Sequence, residues 1–176
     1  NTVTGLAQGN ISITITDGKG CTATDNTTIT EPAVLSATMG TPSMVSCNGG
    51  NNGSVTVTGS GGTAATDYTY SWNTTPVQTT ATASNLVAGS YSVTITDDNN
   101  CTATAGPISI IEPNALSASI GTPSMVSCNG GNNGSATVTG SGGTAAVDYT
   151  YSWNTTPVQT TATASNLVAG NYTVTL

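Results

Sequence analysis

Long stretches of the chain alternate a small polar residue with an apolar one, as in Ile11-Ser12-Ile13-Thr14-Ile15-Thr16, Val55-Thr56-Val57-Thr58 and Tyr91-Ser92-Val93-Thr94-Ile95-Thr96. A period of two places alternate side chains on opposite faces of a strand, one toward a core and one toward water. No segment carries the competing helical period. Clusters such as Cys47-Asn48-Gly49-Gly50-Asn51-Asn52-Gly53 and Gly59-Ser60-Gly61-Gly62 interrupt the alternation and read as turns. The pattern predicts strands near Val34 to Met39, Ser54 to Thr58, Tyr68 to Trp72, Gln78 to Ser84, Gly89 to Thr96 and Cys101 to Ile111, with a short extra one at Met44 to Cys47. Seven short strands at this spacing predict an all-β fold of immunoglobulin-like β-sandwiches.

The pattern repeats. Cys47 and Cys128, Trp72 and Trp153, and Glu31-Pro32 and Glu112-Pro113 are each 81 residues apart. Residues 35 to 95 and 116 to 176 differ at seven of 61 positions, and the run TYSWNTTPVQTTATASNLVAG occurs twice without change. A catalytic site is needed once, so a verbatim copy points to a building unit. The phase predicts three domains: 1–32 as the C-terminal part of one repeat, 33–113 as a complete repeat, and 114–176 as the N-terminal part of the next. Both ends fall inside a unit, which predicts a longer array.

Composition then removes whole classes of function. The chain holds one Lys or Arg, eight Asp or Glu and no His, for a net charge of −7. With Lys19 as the sole cationic side chain it cannot neutralise a row of phosphates, so nucleic acid and anionic membrane surfaces are not expected partners. Without His it lacks the ordinary general base and an imidazole metal ligand. No Ser or Thr sits in a nucleophile-elbow sequence, and the Gly-rich loops lack the Lys and helix of a phosphate cradle. No enzyme is expected.

Trp72, Tyr70 and Tyr68 fall on one face of their strand, which favours core packing over a sugar-stacking platform. The run from Asn85 to Tyr91 resembles a tyrosine corner. Acidic residues offer the one candidate ligand set. Asp97 and Asp98 lie on a predicted turn, and Glu31 and Glu112 precede the junction prolines. Were these to meet where domains stack, they would supply the hard oxygen ligands that calcium prefers; the simpler reading is that they shape turns. No other cofactor is expected. The four Cys occupy two sites per unit, Cys47 and Cys128 before one strand and Cys21 and Cys101 before another. A Cys47–Cys101 disulfide is expected, enclosing 54 residues and contributing about 4 kcal/mol, with Cys21 and Cys128 paired outside these residues. In a regular sandwich the two sites lie at opposite ends, so this pairing requires the segment from Gly40 to Gly53 to fold back; the alternative is bonds that cross between neighbouring repeats.

The string VSCNGGNNGSVTVTGSGG, then YTYSW, then NLVAGSYSVTITDDNNCTAT and a closing IIEP resembles the SprB-type repeat of surface adhesins in gliding Bacteroidota. The resemblance implies export by the type IX route, display outside the cell on the bacterial surface, and a part in adhesion or gliding. Two functions follow as expectations. One is a structural stalk or filament, whose partners are neighbouring repeats and other copies of the chain. The other is a multivalent array binding surface polysaccharide, or binding through calcium.

Overall fold

A computed structural model of the chain describes residues 2–63, 67–144 and 148–176. The described residues contain strands and no helix: β1 (Gly9–Thr16), β2 (Thr22–Ile29), β3 (Ser36–Met39), β4 (Gly53–Ser60), β5 (Thr69–Trp72), β6 (Thr82–Leu86), β7 (Gly89–Thr96), β8 (Thr102–Ile110), β9 (Ser117–Ile120), β10 (Gly134–Ser141), β11 (Ser152–Trp153), β12 (Thr163–Leu167) and β13 (Val174–Thr175). The all-β expectation holds. Each long alternating run became a strand, because β-branched Thr, Val and Ile fit a pleated, half-buried surface.

Sheet order gives the architecture. One sheet runs β3-β4-β6 and another β5-β7-β8, while β12-β10-β9 and β11-β13 repeat the plan further along. Grouping the first, second and fourth strands of a repeat apart from the third, fifth and sixth is an immunoglobulin-like arrangement. The expected extra strand at Met44 to Cys47 is reduced to a single bridge, Ser43 to Ser54, and the strand expected from Gln78 begins later, at Thr82.

The chain forms two compact units, each built from three segments of the chain. The first comprises Asn1–Met39, Val57–Ala81 and Ser92–Gly106. In it, Thr69 to Trp72 pair antiparallel with Thr96 to Val93, and Ser36 to Met39 with Ser60 to Val57. Trp72, Val57, Val93 and Ile95 are buried. A Cβ on Gly59 of β4 would lie 2.6 Å from the Tyr68 ring and 3.0 Å from Ile95, so the two sheets close on each other at this glycine. The β1–β2 hairpin also belongs here, paired in register from Gly9–Ile29 to Thr16–Thr22, with Ile13 and Ile15 exposed.

The second unit comprises Gly40–Thr56, Thr82–Tyr91 and Pro107–Leu176. Its main core packs Ala136 and Val138 of β10 and Ala164 and Leu167 of β12 against Trp153 of β11, with Tyr151, Tyr172, Val174 and Leu176 against them. Side chains from two sheets meet face to face there, which is a sandwich interior. Val45, Val55, Ala83, Leu86 and Ile110 are also buried in this unit.

Candidate functional site

The aromatic residues are committed to the fold. Trp72 and Trp153 are each 1% exposed, and all six tyrosines are half-buried. Their polar tips point back into their own repeat. Each indole Nε1 donates to a backbone carbonyl, Trp72 to Thr80 at 2.8 Å and Trp153 to Thr161 at 2.9 Å. Tyr68 donates to Gly61 and Tyr149 to Gly142. Tyr91 donates to Val87 and Tyr172 to Val168, both at 3.0 Å, which is the expected tyrosine corner in both copies. Every described aromatic is thus at least half buried, and none is offered as a flat sugar-binding face.

The acidic residues act on loops. Asp97, on the turn after β7, is 5% exposed. Its Oδ1 accepts from the backbone N–H of Asn99 at 3.0 Å and Cys101 at 2.8 Å. Its Oδ2 accepts from the N–H of Thr63 at 2.9 Å and from the Thr63 hydroxyl at 3.0 Å. Gly62 has φ +66°, and a Cβ there would come within 2.7 Å of Oδ2, so the carboxylate requires glycine at this position. The Thr63 N–H, foremost, with those of Cys101 and Asn99, holds the Asp97 carboxyl below the usual carboxylate range against the opposing push of burial. Asp17 makes the same turn, accepting from Cys21 N–H at 2.8 Å and Lys19 N–H at 2.9 Å, and is lowered for that reason.

A depressed folded-state value means that Asp97 stabilises the fold above its unfolded pKa near 3.9, and that the stabilisation is lost as pH falls through the folded value. The melting temperature of the chain is therefore expected to hold from neutral pH to about pH 4 and to fall below it. Asp97→Asn should melt lower at neutral pH and show a shallower fall in acid. A parallel fall in both proteins, measured by circular dichroism, would remove Asp97 from the account.

Glu112 forms a second loop-holding contact. Its Oε2 accepts from the N–H of Gly49 at 2.6 Å and its Oε1 from Asn48 Nδ2 at 3.1 Å. The same Nδ2 donates to the carbonyl of Pro113 at 3.1 Å. The loop is shaped to present these donors. Gly49 has φ +72°, Gly50 N–H closes the turn onto Cys47 O at 2.9 Å, and Asn52 accepts from Ser46 N–H while donating to Ser46 Oγ. Val45 N–H reaches Ile111 O at 3.1 Å, bringing the loop to the Glu-Pro segment. One carboxylate thereby fixes both the Cys-Asn-Gly-Gly loop and the backbone that enters the next repeat. We call this contact the latch.

The candidate calcium ligands are not assembled. Asp97 and Glu112 are each taken up by N–H donors, and among the described residues no three of His, Cys, Asp and Glu gather where a metal could sit. Asp98 and Glu31 are exposed. An open depression of about 560 Å³ beside the latch is lined by Cys47, Asn48, Asn114, Leu116, Tyr149 and Leu176 among others, with Asp148 as its one carboxylate.

The expected Cys47–Cys101 disulfide is not formed. Cys21, Cys47, Cys101 and Cys128 are all free and exposed. Cys47 lies in the loop that Glu112 holds, and Cys101 follows the turn that Asp97 ties to Thr63.

The Cys-Asn-Gly-Gly loop, β4 and the tryptophan strand are the parts of the chain that a known repeat shares. The family model described as the SprB repeat matches residues 40–76 and again 120–157. Both stretches match the SprB repeat. The first begins just after β3 and runs through the latch loop, β4 and Trp72; the second covers the same parts one period later. No curated protein matches the chain. Among solved structures, the three N-terminal domains of the bacteriophage RB49 Highly Immunogenic Outer Capsid protein (Hoc) align at 21% identity with a TM-score of 0.43, over 81% of this chain and 53% of that one. The chain thus spans about half the length of that structure.

Sequence reasoning found Trp72, the tyrosine corner and both carboxylate positions. It missed Asn48, Gly49 and Thr63 as their partners, since the contacts join residues 63, 64 and 34 positions apart. The available signal was the obligatory glycines, Gly49 and Gly62, lying beside them.

Proposed function

We propose that this chain is a structural repeat region of an extracellular adhesin or filament on the bacterial cell surface, supplying reach and mechanical integrity rather than a ligand site or catalysis. The observation that carries the reading is the commitment of the recognition-type side chains. The tryptophans are buried and the tyrosines half-buried, both indoles and the hydroxyls of Tyr68, Tyr91, Tyr149 and Tyr172 are bonded internally, and Asp97 and Glu112 hold loops. The SprB repeat match supports a cell-surface, adhesin-like repeat region. Adhesion or gliding, and export by the type IX route, follow from that kinship as part of the proposal. The partners on this reading are neighbouring repeats and other copies of the chain in a filament.

The test is a direct search for ligands. Calorimetric titration with calcium and a screen against surface polysaccharides should give no saturable binding, and calcium should leave the melting temperature unchanged. Saturable binding that disappears on substituting Asp97 or Glu112 would instead establish the multivalent array.

A further inference from the structure

Asn-Gly occurs four times in the chain, at 48–49, 52–53, 129–130 and 133–134. This dipeptide is the one most open to deamidation, because glycine has no Cβ to hinder the approach of its nitrogen to the preceding side-chain carbonyl. The structure divides the four into two kinds. Asn52 is bonded through both side-chain atoms to Ser46, and Asn133 through both to Ser127. Gly53 and Gly134, which follow them, are buried at the start of β4 and β10. Asn48 and Asn129 are instead exposed and followed by glycines at φ +72° and +77°.

Gly49 N–H and Asn48 Nδ2 are held by Glu112, and Nδ2 also by Pro113 O. We propose that Asn48 is a deamidation site that Glu112 holds shut.

The chemistry needs only water. The backbone nitrogen of Gly49, after losing its proton, attacks Cγ of Asn48, and the C–Nδ2 bond breaks with release of ammonia to leave a cyclic succinimide. Water then opens the ring at either carbonyl, giving Asp or isoaspartate. Each stage is opposed by the latch. Deprotonating Gly49 N beside the Glu112 carboxylate would bring two negative charges together. Turning Cγ toward the nitrogen requires breaking both bonds made by Nδ2. The reaction is also one-way, because a carboxylate at position 48 has no proton to donate to Glu112 and the latch cannot re-form.

Peptide mapping by mass spectrometry of the 176-residue chain, aged in mildly alkaline buffer with its fold followed by tryptophan fluorescence, tests this. Glu112→Ala should raise the Asn48 rate about ten-fold, the scale of one or two hydrogen bonds. Glu112→Gln, which keeps one acceptor, should raise it less. Asn52 should stay slow in all three proteins. An Asn48 rate unaffected by Glu112→Ala would overturn the proposal, and so would one lowered by it, which would show the carboxylate acting as a base.

Discussion

Trp72→Ala lowers the stability of its repeat by about 3 to 5 kcal/mol, the cost of removing a large aromatic from a closed core. The indole is 1% exposed and its Nε1 donates to Thr80 O, so truncation leaves a cavity and removes that hydrogen bond. The chain has two tryptophans, so each single substitution leaves one reporter. In Trp72→Ala, Trp153 fluorescence should show a denaturant midpoint close to that of the parent chain, while circular dichroism shows an earlier transition for the damaged repeat. Trp153→Ala should give the mirror image. A parent-like unfolding curve by circular dichroism would mean that Trp72 is not a core residue. Concerted early loss of both signals would mean that the repeats are not nearly independent.

The second large effect is expected at the latch. Glu112→Ala removes the acceptor for Gly49 N–H and one of the two acceptors for Asn48 Nδ2, which loosens the loop from the linker. Stability should fall by about 1 to 2 kcal/mol, because these are charge-assisted bonds in a partly exposed place. The larger consequence is mechanical. Pro113 fixes one backbone angle of the linker, and its carbonyl is held by Asn48 in turn. Without Glu112 the linker keeps the proline constraint and the hydrogen bonds from Asn48 to Pro113 O and from Val45 to Ile111 O. Hydrogen exchange at Gly49 should accelerate in Glu112→Ala while exchange within β10 stays constant. Unchanged protection at Gly49 would show that the loop stands without the carboxylate.

Much of the sandwich was legible in the sequence for a physical reason. Strand alternation is local, so Tyr91-Ser92-Val93-Thr94-Ile95 declares its buried and exposed faces wherever it docks. Trp72 and the tyrosine corner were legible because an indole or a phenol among Ser, Thr and Gly has few places to be buried. The carboxylate roles were not. Asp97 looks like an ordinary turn residue until Thr63 and Gly62 are brought to it, and Glu112 looks like a junction charge until the Asn48 loop folds over it. Those contacts depend on sheet pairing across many residues, which no local pattern states. Cysteine pairing is not legible in the sequence either, because recurrence of two cysteines per unit shows that both sites repeat and does not say which sulfurs meet.

The central claim is that these repeats are a stiff spacer whose junctions are fixed by the Glu-Pro latch. It is tested most directly by the end-to-end length of tandem arrays of residues 33–113, measured by atomic force microscopy as the number of repeats is doubled and doubled again. A stiff array doubles its length with each doubling of repeats, and Glu112→Ala throughout the array shortens the mean end-to-end distance. Growth by a factor of about 1.4 per doubling, the square-root law of a flexible chain, in the unsubstituted array would contradict the account.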